Sequence, residues 1–307
     1  MQKLIDNLVD QIGTVLLGKE QQIKLAVSCL LSGGHLLIED LPGMGKTTLA
    51  HALANVFGLD YKRVQFTSDL LPADILGVSV FDQTRTSFEF HPGPIFTQVL
   101  LADEINRTTP KTQSALLEAM EEGQVSVEGQ TRKLPEPFFV IATQNPLTQS
   151  GTFPLPESQL DRFLMRIELG YPDPRAEREL YMGLNPRLAL KSLKPGITVA
   201  QLAQIREHIL TVKVSDGLLD YLQRLVHFTR TSKEFSFGIS PRGALALLHC
   251  AKTWALMHGR KYVIPEDLQT VMPAVAGHRL SDATDVADQN GYALVDRVLN
   301  SVDVIAV

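Results

Sequence analysis

The stretch Gly34–Phe57 constrains this chain more than any other. His35-Leu36-Leu37-Ile38 is a short apolar run behind Gly33-Gly34, the pattern of a buried strand. Asp40-Leu41-Pro42-Gly43-Met44-Gly45-Lys46-Thr47 comes next, followed by Thr48–Phe57. In that segment Leu49, Ala50, Leu53, Ala54 and Phe57 recur at helical spacing, and Gly58 stands where a left-handed cap is needed. Strand, glycine-rich loop and helix in that order are the context a phosphate-binding loop requires. The loop Pro42–Thr48 then lines the phosphates, with the N–H groups of Gly43, Met44, Gly45, Lys46 and Thr47 wrapping them at a positive helix N-terminus. Lys46 reaches the β- and γ-phosphates as a point charge, and the Thr47 hydroxyl is placed to ligate Mg²⁺. The motif G-x-x-x-x-G-K-[ST] wants glycine first, and this chain has Asp40. Aspartate tolerates turn backbone, and a carboxylate beside phosphates is costly, so the Asp40 side chain is expected to point away from them.

Composition enters as a set of exclusions. The 307 residues suffice for two domains with substantial cores. A net charge of −5 and the lack of a Lys/Arg-rich run argue against a general polyanion binder, so no nucleic-acid partner is expected. Cys29 and Cys250, the two cysteines, both fall in apolar helical patterns and form neither a metal-ligand set nor a disulfide framework. Leu4, Ile5, Leu8, Val9 and Ile12 mark an amphipathic helix where a signal peptide would stand. Ala244–Met257, the most apolar long segment, is interrupted by His249, Lys252 and Thr253 and is too short to span a bilayer. A cytoplasmic protein without a transmembrane segment is the expectation.

Along the chain, Arg63–Phe66 reads as a second strand, and two alternating runs within Leu76–Phe90 read as a hairpin. Gln98–Ala102 is a continuous apolar strand that delivers Asp103-Glu104 at its C-terminal end, where open α/β sheets bind ligands. Asp103 is placed to hold the Mg²⁺ shell, and Glu104 to orient and deprotonate an attacking water. A pair of helix-capping carboxylates is the plainer explanation, and the upstream phosphate loop favours the hydrolytic one. Thr109 and Pro110 open a helix that Gly123 closes, and Val125, Val127 and Glu128-Gly129 suggest a second hairpin. Phe138–Ala142 is the next core strand. It ends in Thr143-Gln144-Asn145-Pro146, where the Asn145 amide can hydrogen-bond the γ-phosphate or the attacking water, and where an Asn-Pro turn alone would look the same. Glu157–Asp161 reads as helix, and a fifth strand ends at Ile167. Tyr171-Pro172-Asp173 makes a stiff break, and everything beyond it reads as helical, with caps at Thr198 with Gln201, at Ser215 and at Pro265.

Ser240-Pro241-Arg242 breaks a local rule. Ser240 and Pro241 start a helix, so Arg242 puts a cation at the positive end of its dipole. Such a violation marks either a nearby anion or a salt bridge to a carboxylate of the other domain, with the anion preferred.

Taken together, Leu36–Thr47, Phe66–Pro72, Asp103-Glu104-Ile105-Asn106-Arg107, Ile141–Pro146 and Leu155–Phe163 resemble the MoxR family of AAA+ ATPases over nearly the whole chain. The resemblance implies an α/β fold: a P-loop αβα sandwich with a parallel five-stranded sheet over 1–171, then an all-helical lid over 172–307. It implies hairpin insertions near 76–94 and 124–134, and a homo-oligomeric ring, usually a hexamer, with ATP between subunits. Lys46, Thr47, Asp103 and Glu104 match the Walker residues, Asn145 the sensor-1 position, Arg242 the sensor-2 position and Arg162 the arginine finger that acts on a neighbour's nucleotide. Arg162 also has a plain alternative, as a structural residue paired with Asp161. MoxR proteins resemble chaperones that mature or activate a protein client, commonly with a partner carrying a von Willebrand factor A domain. Two other readings stand beside this one: a chelatase-like metal-insertion motor subunit, and a nucleic-acid translocase. The latter needs basic pore loops, whereas Arg85, Arg132 and Lys133 are offset by Asp82, Glu89 and Glu128. No Asn-Lys-x-Asp motif reads guanine, so ATP is preferred to GTP.

Overall fold

The computed structural model describes residues 1–145, 151–183, 185–283 and 291–305. Five strands form a parallel sheet: β1 (Leu36–Glu39), β2 (Tyr61–Gln65), β3 (Val99–Asp103), β4 (Phe139–Gln144) and β5 (Met165–Ile167), in the order β2-β3-β4-β1-β5. The register aligns Gln65 with Asp103, and Glu39 with Gln144. The C-terminal ends of four strands therefore converge on one edge.

Near-continuous apolar runs are what a parallel sheet covered on both faces demands. Alternate residues serve the two faces. Leu36, Ile38, Leu101, Phe139 and Ile141 face a core built from the N-terminal helices Gln2–Gly13 and Glu20–Leu31, the P-loop helix Lys46–Val56 and the lid helices. Leu37, Leu100, Ala102, Val140 and Ala142 face the helix Pro110–Glu122. Each such Leu, Ile or Phe, fully buried, contributes ~1.5–3 kcal/mol. Gly34 is forced by this packing, because a Cβ there would lie 2.2 Å from Leu164. The first core is continuous from Ile5 through the sheet to Leu247 and Val271, so the lid shares apolar contacts with the sheet domain.

Two hairpins project from the sheet domain, Gly77–Asp82 with Ser87–Pro92 and Gln124–Val127 with Gln130–Lys133. The Arg132 guanidinium lies 3.9 Å from the centre of the Phe90 ring and ties one hairpin to the other. In the helical region after the sheet, Thr198, Ser215 and Ser240 each accept the backbone N–H of the third residue of their helices, as their side chains suggest. One detail departs from the all-helical expectation. Phe235–Phe237 pairs antiparallel with Ser281–Asp282. Phe235 is drawn in by an edge-on contact with Phe228, and Ser236 donates to the Asp282 carbonyl. Strands of two or three residues carry no periodicity that a sequence can reveal.

Candidate active site

β1 leads straight into the phosphate loop. Gly43 and Gly45 take φ of 88° and 92°, the left-handed region that lets successive N–H groups point into one hollow. Asp40 does turn away. Its Oδ2 accepts the Leu169 and Gly170 N–H groups at 2.8 and 2.6 Å, and its Oδ1 accepts that of Leu41. The residue that replaces glycine thus ties the loop to the end of the sheet domain, and its charge is spent on backbone donors.

Lys46 is 7% exposed. Its ammonium donates to the Asp40 carbonyl, to Asn145 Oδ1 at 3.1 Å and, more weakly, to the Gln144 carbonyl at 3.4 Å. Among the described residues it makes no ion pair. Burial pushes its pKa below the ordinary lysine value, an effect opposed by the carboxylates of Asp40, Asp103 and Glu104. A buried cation facing neutral oxygens is what a site for anionic phosphates requires. Thr47 and Thr48 stand half-buried in the first turn of the helix.

β3 and β4 supply the rest. Asp103 is buried; Thr143 Oγ1 donates to its Oδ1 at 2.6 Å, and the Arg63 guanidinium grips its Oδ2 at 2.6 and 3.0 Å. Glu104 has φ of 57°, rare for a residue with a side chain and a feature of strained functional positions. Its N–H donates to Thr143 Oγ1 at 2.8 Å. Its carboxylate is held on both sides: Asn145 Nδ2 donates to Oε1 at 3.2 Å, while Gln65 Nε2 and Arg107 Nη1 donate to Oε2 at 2.9 and 3.0 Å. Asn145 therefore bridges the lysine and the glutamate with the two ends of one amide. Asn106 fixes it in turn, donating to its carbonyl at 3.0 Å. The Asn-Pro turn itself involves Pro146, which lies outside the described residues.

Arg162 and Arg242 stand elsewhere. Both pair with one carboxylate, Glu121, at 3.1 and 3.0 Å. Arg242 thus makes the salt bridge to the other domain, and Asp161 pairs with Arg279, not with Arg162. Glu121 ends the helix Pro110–Glu122, and Gly34 and His35, which precede β1, line the same cavity of about 270 Å³. The cavity therefore opens at the N-terminal edge of the sheet. The four residues of β1 separate it from the loop by ~13 Å. Arg162 and Arg242 meet on Glu121, and not on the Lys46 site of their own chain.

Residues 35–165 match the ATPase family associated with various cellular activities (AAA), and residues 227–298 match the AAA lid domain. YeaC of Bacillus subtilis, whose function is uncharacterised, is 45% identical over 90% of this chain and 87% of its own. The chaperone MoxR1 of Mycobacterium tuberculosis is 40% identical over 97% of this chain and 81% of its own. The chain belongs to the MoxR family of AAA ATPases. A crystallised candidate ATPase from Cytophaga hutchinsonii shares the fold, with a TM-score of 0.87, 35% identity and coverage of 99% and 96% of the two chains.

Within this MoxR-family site, the sequence reading gave no role to Gln65, Arg63, Thr143, Asn106 and Arg107. A signal existed for Gln65. It ends β2 on the ligand edge of the sheet, where a polar residue should be examined like Asp103 and Asn145. Arg63 lies two residues earlier on the same strand and so leans to the same face. Arg107 stands three residues after Glu104, the spacing of a pair on one helical turn, and that was its signal.

Proposed function

We propose that this AAA ATPase hydrolyses ATP at the interfaces of a ring, each active site being completed by Arg162 and Arg242 of the adjacent subunit, and that the cycle remodels a protein client. The observation that carries the reading is the separation of the arginine pair from the P-loop of the same chain. Two guanidinium groups share a single carboxylate there, so the cavity keeps an excess of positive charge. A γ-phosphate presented by a neighbour satisfies it with bidentate, charge-assisted hydrogen bonds. A head-to-tail contact whose rotation closes makes a ring, the assembly this reading takes.

Within one site, Lys46 and the loop N–H groups bind the phosphates, and the amide of Asn145 aligns the water that Glu104 deprotonates. Gln65 and Arg107 hold Oε2 of Glu104, while Oε1 takes a single donor, Asn145 Nδ2, and keeps a lone pair for the proton of the water. A hydroxyl and a carboxylate, Thr47 and Asp103, are the hard oxygen donors suited to Mg²⁺ held with substrate phosphates. Held there with the nucleotide, Mg²⁺ would offset the negative charge that develops on the transferred phosphate. The name of MoxR1 as a chaperone supports remodelling of a protein client. A von Willebrand factor A domain protein is the partner class to seek, in a hexameric, cytoplasmic assembly. No helix among the described residues is long and apolar enough to cross a membrane.

Mixed rings test the reading. An Arg162→Ala subunit keeps a sound P-loop, and a Lys46→Ala subunit keeps a sound finger. Each homogeneous ring should be nearly inactive, since an arginine finger contributes ~10³–10⁵ in rate. Mixed at equal amounts, roughly a quarter of interfaces join the good site to the good finger in a head-to-tail ring, and ATPase activity returns. Assembled mixed rings that stay dead refute the trans assignment.

A further inference from the structure

Arg279 takes no part in the machinery described above, and it is among the most heavily bonded side chains of the lid. It follows the lid helix Pro265–Ala276 and is 5% exposed, far from the surface position an arginine normally takes. Its guanidinium spends its donors on the ATPase side of the molecule. Nε donates to Asp161 Oδ1 at 2.6 Å; Nη2 donates to the carbonyls of Asp161 and Phe163 at 3.1 and 2.8 Å; Nη1 donates to the carbonyl of Leu164 at 3.2 Å and also to that of Val275 in the preceding helix. The neighbouring His278 donates from Nε2 to the Phe163 carbonyl at 3.0 Å. Ser281, two residues on, donates to Glu157 Oε1 at 2.7 Å. The acceptors bracket Arg162: Asp161 precedes it, and Phe163 and Leu164 follow it.

The other end of the pair is tied to the same residue. Gly243, next to Arg242, lies against the Arg279 stem, where an added Cβ would come within 3.1 Å of Arg279 Cδ. The buried Arg279 side chain thus bonds the turn that carries Arg162 with its guanidinium and lies with its stem against the helix start that carries Arg242, while Glu121 joins the two arginines from outside. A planar fork with fixed donor directions holds several carbonyls at set angles; a lysine ammonium cannot.

We propose that Arg279 is the positioning residue of the finger: from the lid, it sets the turn Asp161–Leu164, so that Arg162 and Arg242 are presented to the neighbouring subunit as one unit. This rests on the reading of Arg162 as acting in trans. It places control of the neighbour's hydrolysis in the lid, because a lid that shifts carries the turn, and the finger, with it.

The test uses full-length rings, their assembly checked by size and their folding by circular dichroism. Arg279→Gln should lower kcat by ~10²-fold, the scale of a displacement of about 1 Å in a reacting group, with the KM for ATP unchanged. Mixed with Lys46→Ala it should regain activity, since its P-loop is intact. Mixed with Arg162→Ala it should stay inactive, because both variants lack the same function. Arg279→Lys should fail to rescue kcat. Wild-type turnover of Arg279→Gln, full rescue by Arg279→Lys, or recovery on mixing with Arg162→Ala overturns the proposal. Should Arg279→Gln fail to fold, Asp161→Ala, which removes one acceptor from a partly exposed side chain, should show the same mixing pattern at a smaller loss. Full activity there overturns the proposal equally. The pair Arg162→Ala with Lys46→Ala is the control. Its failure to recover overturns the finger reading and this proposal together, whereas recovery of the control without recovery of Arg279→Gln with Lys46→Ala overturns this proposal alone.

Discussion

Replacing Lys46 by methionine separates a phosphate ligand from a structural brace. The two side chains have similar length and volume, so the packing of the loop changes little. What is lost is the ammonium of a buried residue, which has only neutral oxygens within hydrogen-bond reach and is pushed below its ordinary pKa chiefly by burial. Two terms oppose each other in the nucleotide-free protein. Removing a desolvated charge is favourable, whereas Asn145 Oδ1 loses a donor, which costs ~1–3 kcal/mol if no water replaces it. The loop is open enough for water to reach the Asp40 carbonyl, so the net change is small, ~1 kcal/mol in either direction. The change with ATP is large. At a thousandfold excess over Kd a ligand stabilises by ~4 kcal/mol. At roughly 2–4 °C per kcal/mol, that is a rise in Tm of about 8–16 °C. Thermal scans with and without Mg-ATP read both quantities. Lys46→Met should melt within a few degrees of wild type without nucleotide and should lose the ATP-induced rise. A variant that keeps the rise, or one that unfolds far earlier without nucleotide, refutes the assignment.

Glu104→Gln should still bind ATP but hydrolyse it at least ~100-fold more slowly, the scale for losing a positioned base; single-turnover kinetics decide, and normal turnover removes Glu104 from that role. His35 yields a pH prediction. Burial, reinforced by the nearby Arg242 charge and opposed by its bond to the Met120 carbonyl, holds its pKa at about 4 instead of 6.5, so the folded protein keeps it neutral while the unfolded chain takes up a proton. Stability is full above pH 6.5 and falls as the pH drops toward about 4, at up to ~1.4 kcal/mol per unit. His35→Gln, which can still accept the Val140 N–H, should reduce that slope in urea titrations at pH 7, 6 and 5 by the His35 share, with His278 and His249, also held below the ordinary value by burial, keeping the rest; an unchanged slope removes His35 from that role.

Much of this was legible because the sequence spells it locally. Strand, loop and helix around Lys46 announce themselves in one run of residues, and Asp103, Glu104 and Asn145 follow from one rule about the ends of parallel strands. Caps were legible for the same reason: Ser240, Ser215 and Thr198 bond within three residues of themselves. Even the misplaced cation at Arg242 was visible, although its partner was not. Glu121 and Arg242 lie 121 residues apart, and nothing periodic links them. Arg279 is the extreme case. It sits in an unremarkable Gly-His-Arg stretch, and its acceptors are mostly backbone carbonyls, which every residue has. Tertiary partnerships of this kind become readable only once the lid has docked.

The most direct test of the central claim is a structure of the assembled Glu104→Gln protein with Mg-ATP. The quantity to measure is the distance from the Arg162 and Arg242 guanidinium groups to the γ-phosphate held by Lys46 of the neighbouring subunit. The account predicts that both groups leave Glu121 and reach hydrogen-bonding distance, about 2.7–2.9 Å for charged pairs. Arginines that remain on Glu121 in an ATP-filled assembly, or that fold back onto the nucleotide of their own chain, contradict it.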